Sequence, residues 1–244
     1  MKIGSSFAAG LFICEKEVGC LGVKILDETI RDPYTFMGRC AGIAYDSDVT
    51  DPSKCYKRGK RCVADGHGRM LEFCDVYMEI TGYSARVMRE FMRHVGDGLT
   101  CIQRSTRYCN EDGFGFYIPP SVRSDEEKLA KYNEIMAGIQ NGYNDLLDMS
   151  VSKEDAANVL PLGMSTVVAI KKNARCLIDM SRVRLCNRAY VEYRMLMKEI
   201  CIALANYSDE WAELVANEFK PKCDVSGYCD EHMSCGRRPK KVVD

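Results

Sequence analysis

The stretch around residues 74–98 constrains the fold of this chain most, because a strand pattern and a helix pattern follow each other there. Residues 74–81 alternate apolar and polar side chains, which is the period of a strand with one buried face. After Gly82, residues 83–95 carry apolar side chains at i, i+3, i+4 and i+7, which predicts a helix with one buried side. These apolar positions are Met88, Phe91, Met92 and Val95. The turn Gly96-Asp97-Gly98 favours positive backbone φ angles and is expected to end the helix.

The polar side of the same helix leads into a cluster of groups that can bind an anion. Its polar residues share one face because they lie three or four positions apart: Arg86, Arg89, Glu90 and Arg93. Amide, hydroxyl and guanidinium groups follow the glycine turn, at Gln103, Ser105, Thr106 and Arg107. A phosphate or a carboxylate is the ligand that suits such donors best. The alternative is a solvated helix face followed by a surface loop with incidental arginines.

Length and composition limit the classes of protein to which the chain can belong. Its 244 residues, of which 46% are hydrophobic, are enough to bury a substantial core in a single domain. The net charge of −1, from 34 basic and 35 acidic residues, argues against a nucleic-acid binder, since such domains usually carry a clear basic excess. No apolar run approaches the roughly 20 residues that cross a bilayer, so we expect no membrane association.

Cysteine usage indicates a reducing compartment. The 14 cysteines are scattered and include no C-x-x-C pair, as expected where cysteine serves as a small buried apolar residue. Residues 3–13, which precede Cys14, resemble a lipoprotein signal only faintly, because glycines and serines interrupt the apolar run. We therefore expect a cytoplasmic protein.

Metal binding is a possibility only in the cysteine-containing tail. Cys223, Cys229 and Cys235, together with His232, could form a zinc clasp, but structural zinc ligands are usually closer together in sequence. Free or packed thiols are the alternative, and we predict no metal site. With only three histidines in the chain, a hydrolase triad or a histidine-rich metal centre is also hard to assemble.

The remaining elements are predicted from periodicity, turn residues and capping signals. Residues 23–27 and 166–170 are expected to be extended, and residues 46–61 to form a loop. Asp32-Pro33 is expected to open a helix, with Phe36, Cys40, Ile43 and Ala44 on its inner side. Further helices are expected over residues 124–149, after Ser152, over residues 173–205 and after Ser208.

The predicted helix over residues 173–205 carries a second group of arginines. Arg175 and Asp179 are spaced to pair at i and i+4, and Arg184 and Arg188 can share another face. As an alternative, these arginines are mostly salt-bridging surface residues.

Two separate blocks of the chain resemble the flavin-dependent thymidylate synthases. Arg93-His94 and Ser105-Thr106-Arg107-Tyr108 match the two ends of the signature of that family. The form R-H-V-G-D-G-x-T-x-x-Q-x-S-T-R-Y resembles a variant branch, which is longer by about two residues near Gly96-Asp97. In the second block, Asn173, Arg175 and Arg184 stand at positions where family members contact flavin and nucleotide.

The resemblance implies a fold and an activity. The expected fold is α+β, a single domain over residues 1–244 with a mostly antiparallel sheet flanked by long helices and a cysteine-containing C-terminal tail at 220–244. The implied reaction is the reductive methylation of dUMP to dTMP. Methylenetetrahydrofolate donates the carbon, and NADPH or NADH supplies a hydride that FAD relays. The resemblance also implies a homotetramer with sites between subunits.

The resemblance assigns the site residues by position. Arg107 and Arg184 are the expected catalytic residues. The expected substrate-binding residues face dUMP: Glu90, Gln103, Ser105, Thr106, Arg107 and Arg184. The expected cofactor-binding residues face FAD: Arg93, His94, Thr100, Asn173, Arg175 and Asp179. No cysteine nucleophile is needed, so Cys101 and Cys109, which flank the signature turn, are expected to be structural thiols.

Several departures from the family pattern leave other functions open. His67 matches the first histidine of a family motif, but Leu71-Glu72-Phe73 replaces the element that carries a second, flavin-binding histidine. Gln103 stands where an acidic residue is usual, Tyr190 replaces a glutamine, and an arginine before Leu160-Pro161 is missing. A flavoenzyme that hydroxymethylates another pyrimidine nucleotide and a non-catalytic nucleotide-binding homologue therefore remain as alternatives.

Overall fold

The computed structural model describes residues 21–98 and 100–241. The N-terminal segment considered above as a faint lipoprotein signal lies outside the described residues. The strands are β1 (Gly22–Ile25), β2 (Asp75–Ser84), β3 (Thr100–Gln103) and β4 (Ser165–Asn173). The helices are α1 (Pro33–Ala44), α2 (Pro52–Ala64), α3 (Ala85–Phe91), α4 (Pro120–Arg123), α5 (Glu126–Asp148), α6 (Lys153–Ala156), α7 (Ala174–Arg184), α8 (Val191–Tyr207), α9 (Asp209–Glu218) and α10 (Lys222–Ser226). Short 3₁₀ helices occupy Gly68–Phe73 and Ala157–Val159.

The four strands form one antiparallel sheet in the order β1-β2-β4-β3. Between β2 and β4, the Ala174 amide donates to the Cys74 carbonyl and the Ala85 amide to the Met164 carbonyl, both at 2.8 Å. Residue numbers therefore rise along one strand as they fall along the other, which defines antiparallel pairing. The predicted α+β class with an antiparallel sheet and long helices is confirmed.

The chain divides into two compact units, neither of which is one continuous segment. Unit one consists mainly of Ile80–Glu90 and Ile102–Val168, and unit two of Val23–Glu79, Phe91–Cys101 and residues 169–241. The expectation of a single domain over residues 1–244 stays a prediction. None of the helices between residues 21 and 241 has the length and apolar character of a membrane span.

Unit two contains a close crossing of α1 and α2 that the sequence did not predict. Residues 46–61 were expected to form a loop, and this prediction is wrong. Asp51 caps α2 by accepting the amides of Ser53 and Lys54, and Pro52 supplies the first helical φ angle. Only three residues of α2 are buried: Cys55, Gly59 and Val63. The helical spacing of apolar residues is therefore weak in this segment, which is rich in lysine and arginine.

The core of unit two is formed by the inner faces of α8 and α9 and by buried residues of α1. Tyr193, Leu196 and Ile200 are fully buried, and so is Trp211, whose indole N–H donates to the Ile30 carbonyl at 2.7 Å. The inner face of α1 was predicted incorrectly, because Ile43 is 74% exposed whereas Met37 is fully buried. Gly38 of α1 and Gly59 of α2, rather than large apolar side chains, lie where these two helices cross.

Unit one is built around α5, whose start was predicted from a capping pattern. Asp125 accepts the Lys128 amide and begins the helix. Phe114, Met136 and Met164 form a buried cluster, and the Gln140 side chain accepts the amides of Gly113 and Phe114 at 2.9 and 3.1 Å. The helix thus holds the segment that follows the signature.

Two predicted helices have different ends in the structure. The helix expected over residues 83–95 is α3, which begins only at Ala85 because β2 continues through Ser84. It ends at Phe91, and Val95, which was expected on its buried side, is 57% exposed. The long helix expected over residues 173–205 is broken into α7 and α8. The Arg194 guanidinium donates to the Asn187 carbonyl at 2.6 Å, which stabilises the non-helical connection.

Candidate active site

An open cavity of about 530 Å³ in unit two brings together residues from both sequence blocks. Five of the six residues predicted to bind flavin line it: Arg93, His94, Asn173, Arg175 and Asp179. The sixth, Thr100, begins β3, is exposed and is not among the residues lining this cavity. Glu72 and Cys176 also line the cavity. Residues about 80 positions apart thus form one site.

The junction between β4 and α7 places Asn173 and Arg175 at the cavity. Asn173 is the last residue of β4 and also the N-cap of α7, where its side-chain oxygen accepts the Cys176 amide at 2.9 Å. This leaves the side-chain NH₂ group of Asn173 as its remaining donor. The N-terminal end of α7, with its partial positive charge, therefore faces the same cavity.

A buried ion pair holds the other wall, the turn at residues 94–98. The side chains of Lys172 and Asp97 are 0% and 3% exposed, and Lys172 Nζ lies 2.7 Å from Asp97 Oδ1. Lys172 Nζ also donates to the carbonyls of His94 and Gly98, at 2.6 and 3.1 Å. Asp97 Oδ2 accepts the Asn173 amide at 2.7 Å. The two blocks are therefore joined directly at the cavity.

The arginine of the α7 first turn pairs differently from the prediction. Arg175 Nη1 lies 2.6 Å from Glu72 Oε1, and Asp179 instead pairs with Arg182 at 3.2 Å. The predicted Arg175–Asp179 pair is wrong, because Glu72 on the 3₁₀ helix Gly68–Phe73 is available to the guanidinium. Both members of the Arg175–Glu72 pair are about half exposed, so the pair contributes little to stability and a ligand can replace it.

Arg184, the predicted nucleotide-binding residue of unit two, lies against His94. Its Nε donates to His94 Nε2 at 3.2 Å, and its guanidinium carbon is 4.2 Å from the centroid of the Tyr193 ring. His94 Nε2 is the acceptor of this hydrogen bond. The fully buried Tyr193 therefore supports Arg184 through a cation–π contact beside a predicted flavin residue.

The other predicted nucleotide residues lie in unit one. Gln103 ends β3, and its amide donates to Thr166 Oγ1 at 3.2 Å. Ser105 Oγ accepts the Arg107 amide at 3.3 Å, so the Ser105-Thr106-Arg107 segment forms a hydroxyl-containing turn. Arg107 Nε lies 3.0 Å from Glu154 Oε2, and both side chains are about 60% exposed. Glu90 is half-buried on α3.

Neighbouring contacts fix this turn on both sides. Arg104, next to the signature hydroxyls, pairs with the buried Glu111 at 3.0 Å. Lys153 Nζ donates to the Tyr108 carbonyl at 3.3 Å, and the Cys109 amide donates to the Ser105 carbonyl at 3.0 Å. Thus Arg104 has a structural role, while Arg107 extends into solvent.

A second, smaller cavity of about 290 Å³ in unit two contains His67, the first histidine of the family motif. Apolar groups from α1 and α2 line most of it, together with Arg69 and Met70. Phe73, which the resemblance aligns with the family's second histidine, is 53% exposed. Its phenyl ring has no hydrogen-bonding nitrogen.

Burial controls the thiol chemistry around the main cavity. Burial raises the pKa of the Cys176 thiol to about 11, and the neighbouring Asp97 carboxylate adds to the shift. Burial also raises the pKa of Cys101. Within residues 21–98 and 100–241, no group of three or more His, Cys, Asp and Glu side chains is arranged to hold a metal ion.

Sequence reasoning missed four residues here: Glu72 and Cys176, which line the cavity, and Asp97 and Lys172, which hold its wall. A signal for Lys172 was present, because Val168 and Ile170 are buried on the same face of β4 and residue 172 continues that period-two register. A lysine at an inward position requires a buried partner. Nothing comparable in the sequence connects Glu72 to Arg175, whose contact spans 103 residues.

The chain is similar to a known protein family in sequence and to a solved structure in fold. A family model described as thymidylate synthase complementing protein matches residues 24–206. The flavin-dependent thymidylate synthase of Pyrococcus furiosus is 30% identical over 180 residues, covering 70% of this chain and 71% of its own length. That of Clostridium tetani is 29% identical and covers 89% of this chain and 94% of its own length. A solved UMP/dUMP methylase from Streptomyces cacaoi, bound with 5-Br dUMP, has a TM-score of 0.67 at 18% identity, over 82% of this chain and 96% of its own.

Proposed function

The chain belongs to the thymidylate synthase complementing protein family, and from this we propose that it is a flavin-dependent thymidylate synthase. The proposed reaction is the reductive methylation of dUMP to dTMP. Methylenetetrahydrofolate is the proposed carbon donor and NADPH or NADH the reductant. The single observation that carries the proposal is the convergence of Arg93, His94, Asn173 and Arg175 on one cavity.

The donor set of this cavity fits a flavin dinucleotide. Arg93 and Arg175 offer guanidinium groups suited to a diphosphate, and the N-terminal end of α7 adds backbone N–H groups. Asp179 supplies a carboxylate that can accept hydrogen bonds from ribose hydroxyls. When bound there, FAD supplies hydride transfer that protein side chains cannot perform. Loss of the family's second histidine, replaced by Phe73, removes one contact to it.

The protein's own contribution is positioning and electrostatics. Arg184 is held by His94 and Tyr193, so little conformational freedom is lost when it binds the nucleotide. In the proposal, Arg107 and Arg184 stabilise negative charge that develops on the pyrimidine during reaction, which lowers the barrier. Ser105 and Thr106 bind the dUMP phosphate. Gln103 can hydrogen-bond uracil but cannot act as a base.

Assembly into a homotetramer is part of the proposal, and exposed apolar side chains support it. In unit one, Ile102 is 77% exposed and Tyr108 72%, and both lie in the segment that carries the predicted nucleotide residues. Burial of such side chains between subunits would be favourable, because it removes apolar surface from water. Each site would then take residues from more than one chain. A cytoplasmic location is supported by the 12 free thiols among residues 21–241.

A product assay tests the proposed function. The purified chain would be incubated with FAD, NADPH, methylenetetrahydrofolate and either dUMP or dCMP, and the nucleotide products identified by mass. We expect dTMP from dUMP, with methylenetetrahydrofolate and reductant both required. Hydroxymethylated product, or turnover of dCMP alone, would instead support the alternative flavoenzyme. Absence of any product together with nucleotide binding would indicate a non-catalytic homologue.

A further inference from the structure

We infer that the buried Lys172–Asp97 pair is a positioning device that assembles the flavin cavity from its two walls. The inference rests on the proposed function, since FAD is the ligand it invokes. Neither residue lines the cavity. Each instead controls the backbone from which cavity residues extend.

The pair contacts both walls at once. On one wall, Lys172 Nζ binds the carbonyls of His94 and Gly98, which are the two ends of the 94–98 turn. On the other wall, Asp97 Oδ2 binds the amide of Asn173, the N-cap of α7. A turn that contains two glycines has little stiffness of its own. The pair therefore sets the position of His94 relative to Asn173.

The ammonium group of Lys172 uses all of its hydrogen-bond donors. Its three N–H donors match three short contacts, to the Asp97 carboxylate and to two carbonyls, at 2.6 to 3.1 Å. The carboxylate uses its second oxygen on the Asn173 amide. Fully satisfied buried charges of this kind specify one arrangement of the surrounding backbone, whereas an unpaired buried charge is strongly unfavourable.

The turn also connects the pair to the predicted nucleotide-binding arginine. His94 within this turn accepts the hydrogen bond from Arg184. The pair therefore positions His94 for FAD and, through His94, Arg184 for the nucleotide.

Neutral variants separate positioning from folding. In Lys172→Met/Asp97→Asn both buried charges are removed, and the Asn173 amide keeps a possible acceptor. The thermal midpoint of the FAD-free double variant should therefore be closer to the wild-type value than that of Lys172→Met alone, which leaves a buried carboxylate unpaired. The turn nevertheless loses the ammonium that held its two carbonyls. We expect the Kd for FAD, measured by flavin fluorescence quenching, to rise at least about tenfold. Lys172→Arg, which keeps a cationic donor, should bind FAD better than Lys172→Met.

A neighbouring lysine supplies the matched control. Lys171 lies on the opposite face of β4 and pairs with Asp75 at 3.0 Å. We expect Lys171→Met to change the Kd for FAD by less than about twofold. If the neutral double variant does not fold, Lys172→Gln/Asp97→Asn is the substitute, because it is also neutral and its glutamine amide can replace at most two of the three hydrogen bonds of the ammonium. Its Kd for FAD should therefore also rise above that of the wild type.

The outcomes distinguish this inference from the proposed function. Wild-type protein that does not bind FAD would overturn both. Wild-type protein that binds FAD, with a neutral variant that binds it equally well, would overturn the positioning role alone. The same holds if Lys171→Met weakens FAD binding as much as the Lys172 variants do. A rise in Kd confined to the Lys172 and Asp97 variants, with folding retained, supports the inference.

Discussion

Cys176, which lines the candidate cavity, is buried, and Cys101 on β3 is half-buried. Burial raises the pKa of both thiols, that of Cys176 to about 11. A group with a pKa well above neutral pH stays protonated there, and the nucleophile of cysteine chemistry is the thiolate. The raised pKa values therefore make both thiols less reactive at neutral pH. In the proposed reaction the arginines and FAD, rather than these two thiols, therefore carry the chemistry.

A double substitution at the cysteines flanking the signature tests this view. We expect Cys101→Ala/Cys109→Ala to retain kcat within about threefold of the wild type, since neither thiol needs to ionise. Conversion of dUMP would be followed by product mass, with the thermal midpoint as a check on folding. Complete loss of turnover in a folded double variant would establish a catalytic cysteine instead.

At the residue scale, sequence reasoning located ligand-facing groups better than the groups that hold them. Arg93, His94, Asn173 and Arg175 were predicted as cofactor residues, and the structure gathers them at one cavity. Their roles remain predictions. Lys172 was overlooked because its partner Asp97 is 75 residues away and was interpreted only as a turn residue. Local periodicity indicates which side chains are buried, but it does not identify distant partners.

At the element scale, the crossing of α1 and α2 depends on two glycines. A Cβ added at Gly59 would lie 1.9 Å from the Tyr34 carbonyl oxygen, and one at Gly38 would lie 1.7 Å from that of Cys55. These contacts involve backbone atoms, which cannot rotate away. The helices therefore approach closely only because both positions lack a side chain.

Gly59→Ala should consequently destabilise the protein despite the better helix propensity of alanine. We expect a loss of about 1–3 kcal/mol in the free energy of unfolding, measured by urea denaturation. Gly138→Ala on α5 is the matched control, because no atom lies within 4 Å of the added Cβ. That variant should gain about 0.5–1 kcal/mol. Equal effects of the two substitutions would contradict the proposed packing.

Element boundaries were predictable where they depend on local chemistry. Ser152 and Ser208 cap their helices as expected, by accepting the amides of Asp155 and Trp211. The break between α7 and α8 was missed because residues 185–190 contain no glycine or proline. Distant contacts stabilise it: Arg188 pairs with Glu231 of the C-terminal tail at 2.8 Å. Such tertiary contacts override local helix propensity.

At the scale of the whole molecule, Arg107 and Arg184 belong to different compact units and, in the proposal, meet across a subunit boundary. Co-expression of Arg107→Ala and Arg184→Ala chains tests this arrangement. If each site takes the two arginines from different chains, random assembly leaves about a quarter of sites with both, so activity should partly recover. Each variant alone should be nearly inactive.

The control for complementation uses a chain that cannot restore a complete site. Co-expression of Arg107→Ala with the Arg107→Ala/Arg184→Ala double variant should give no recovery, because every chain lacks Arg107. Recovery in this control would mean that Arg107 is dispensable. No recovery in the first mixture, with mixed oligomers isolated, would show that the two arginines do not come from different chains.

The strands at residues 74–81 and 166–170 were predicted from alternation and from β-branched side chains, whereas the α+β class and the antiparallel sheet were implied by the family resemblance. Neither source predicted the division into two units, each built from separate segments. Residues 23–79 and 169–241 join the same unit through contacts such as that of Trp211 with the Ile30 carbonyl, which spans 181 residues. No local pattern contains that information.

The most direct test of the central claim is a visible absorption titration of the FAD-loaded protein with dUMP. If residues of the two sequence blocks form one site for flavin and nucleotide, the flavin band should be retained and should shift saturably as dUMP is added. In Arg184→Ala, the band should be retained but the shift should be lost. A protein that retains no flavin, or a flavin spectrum that does not change at saturating dUMP, would contradict the account.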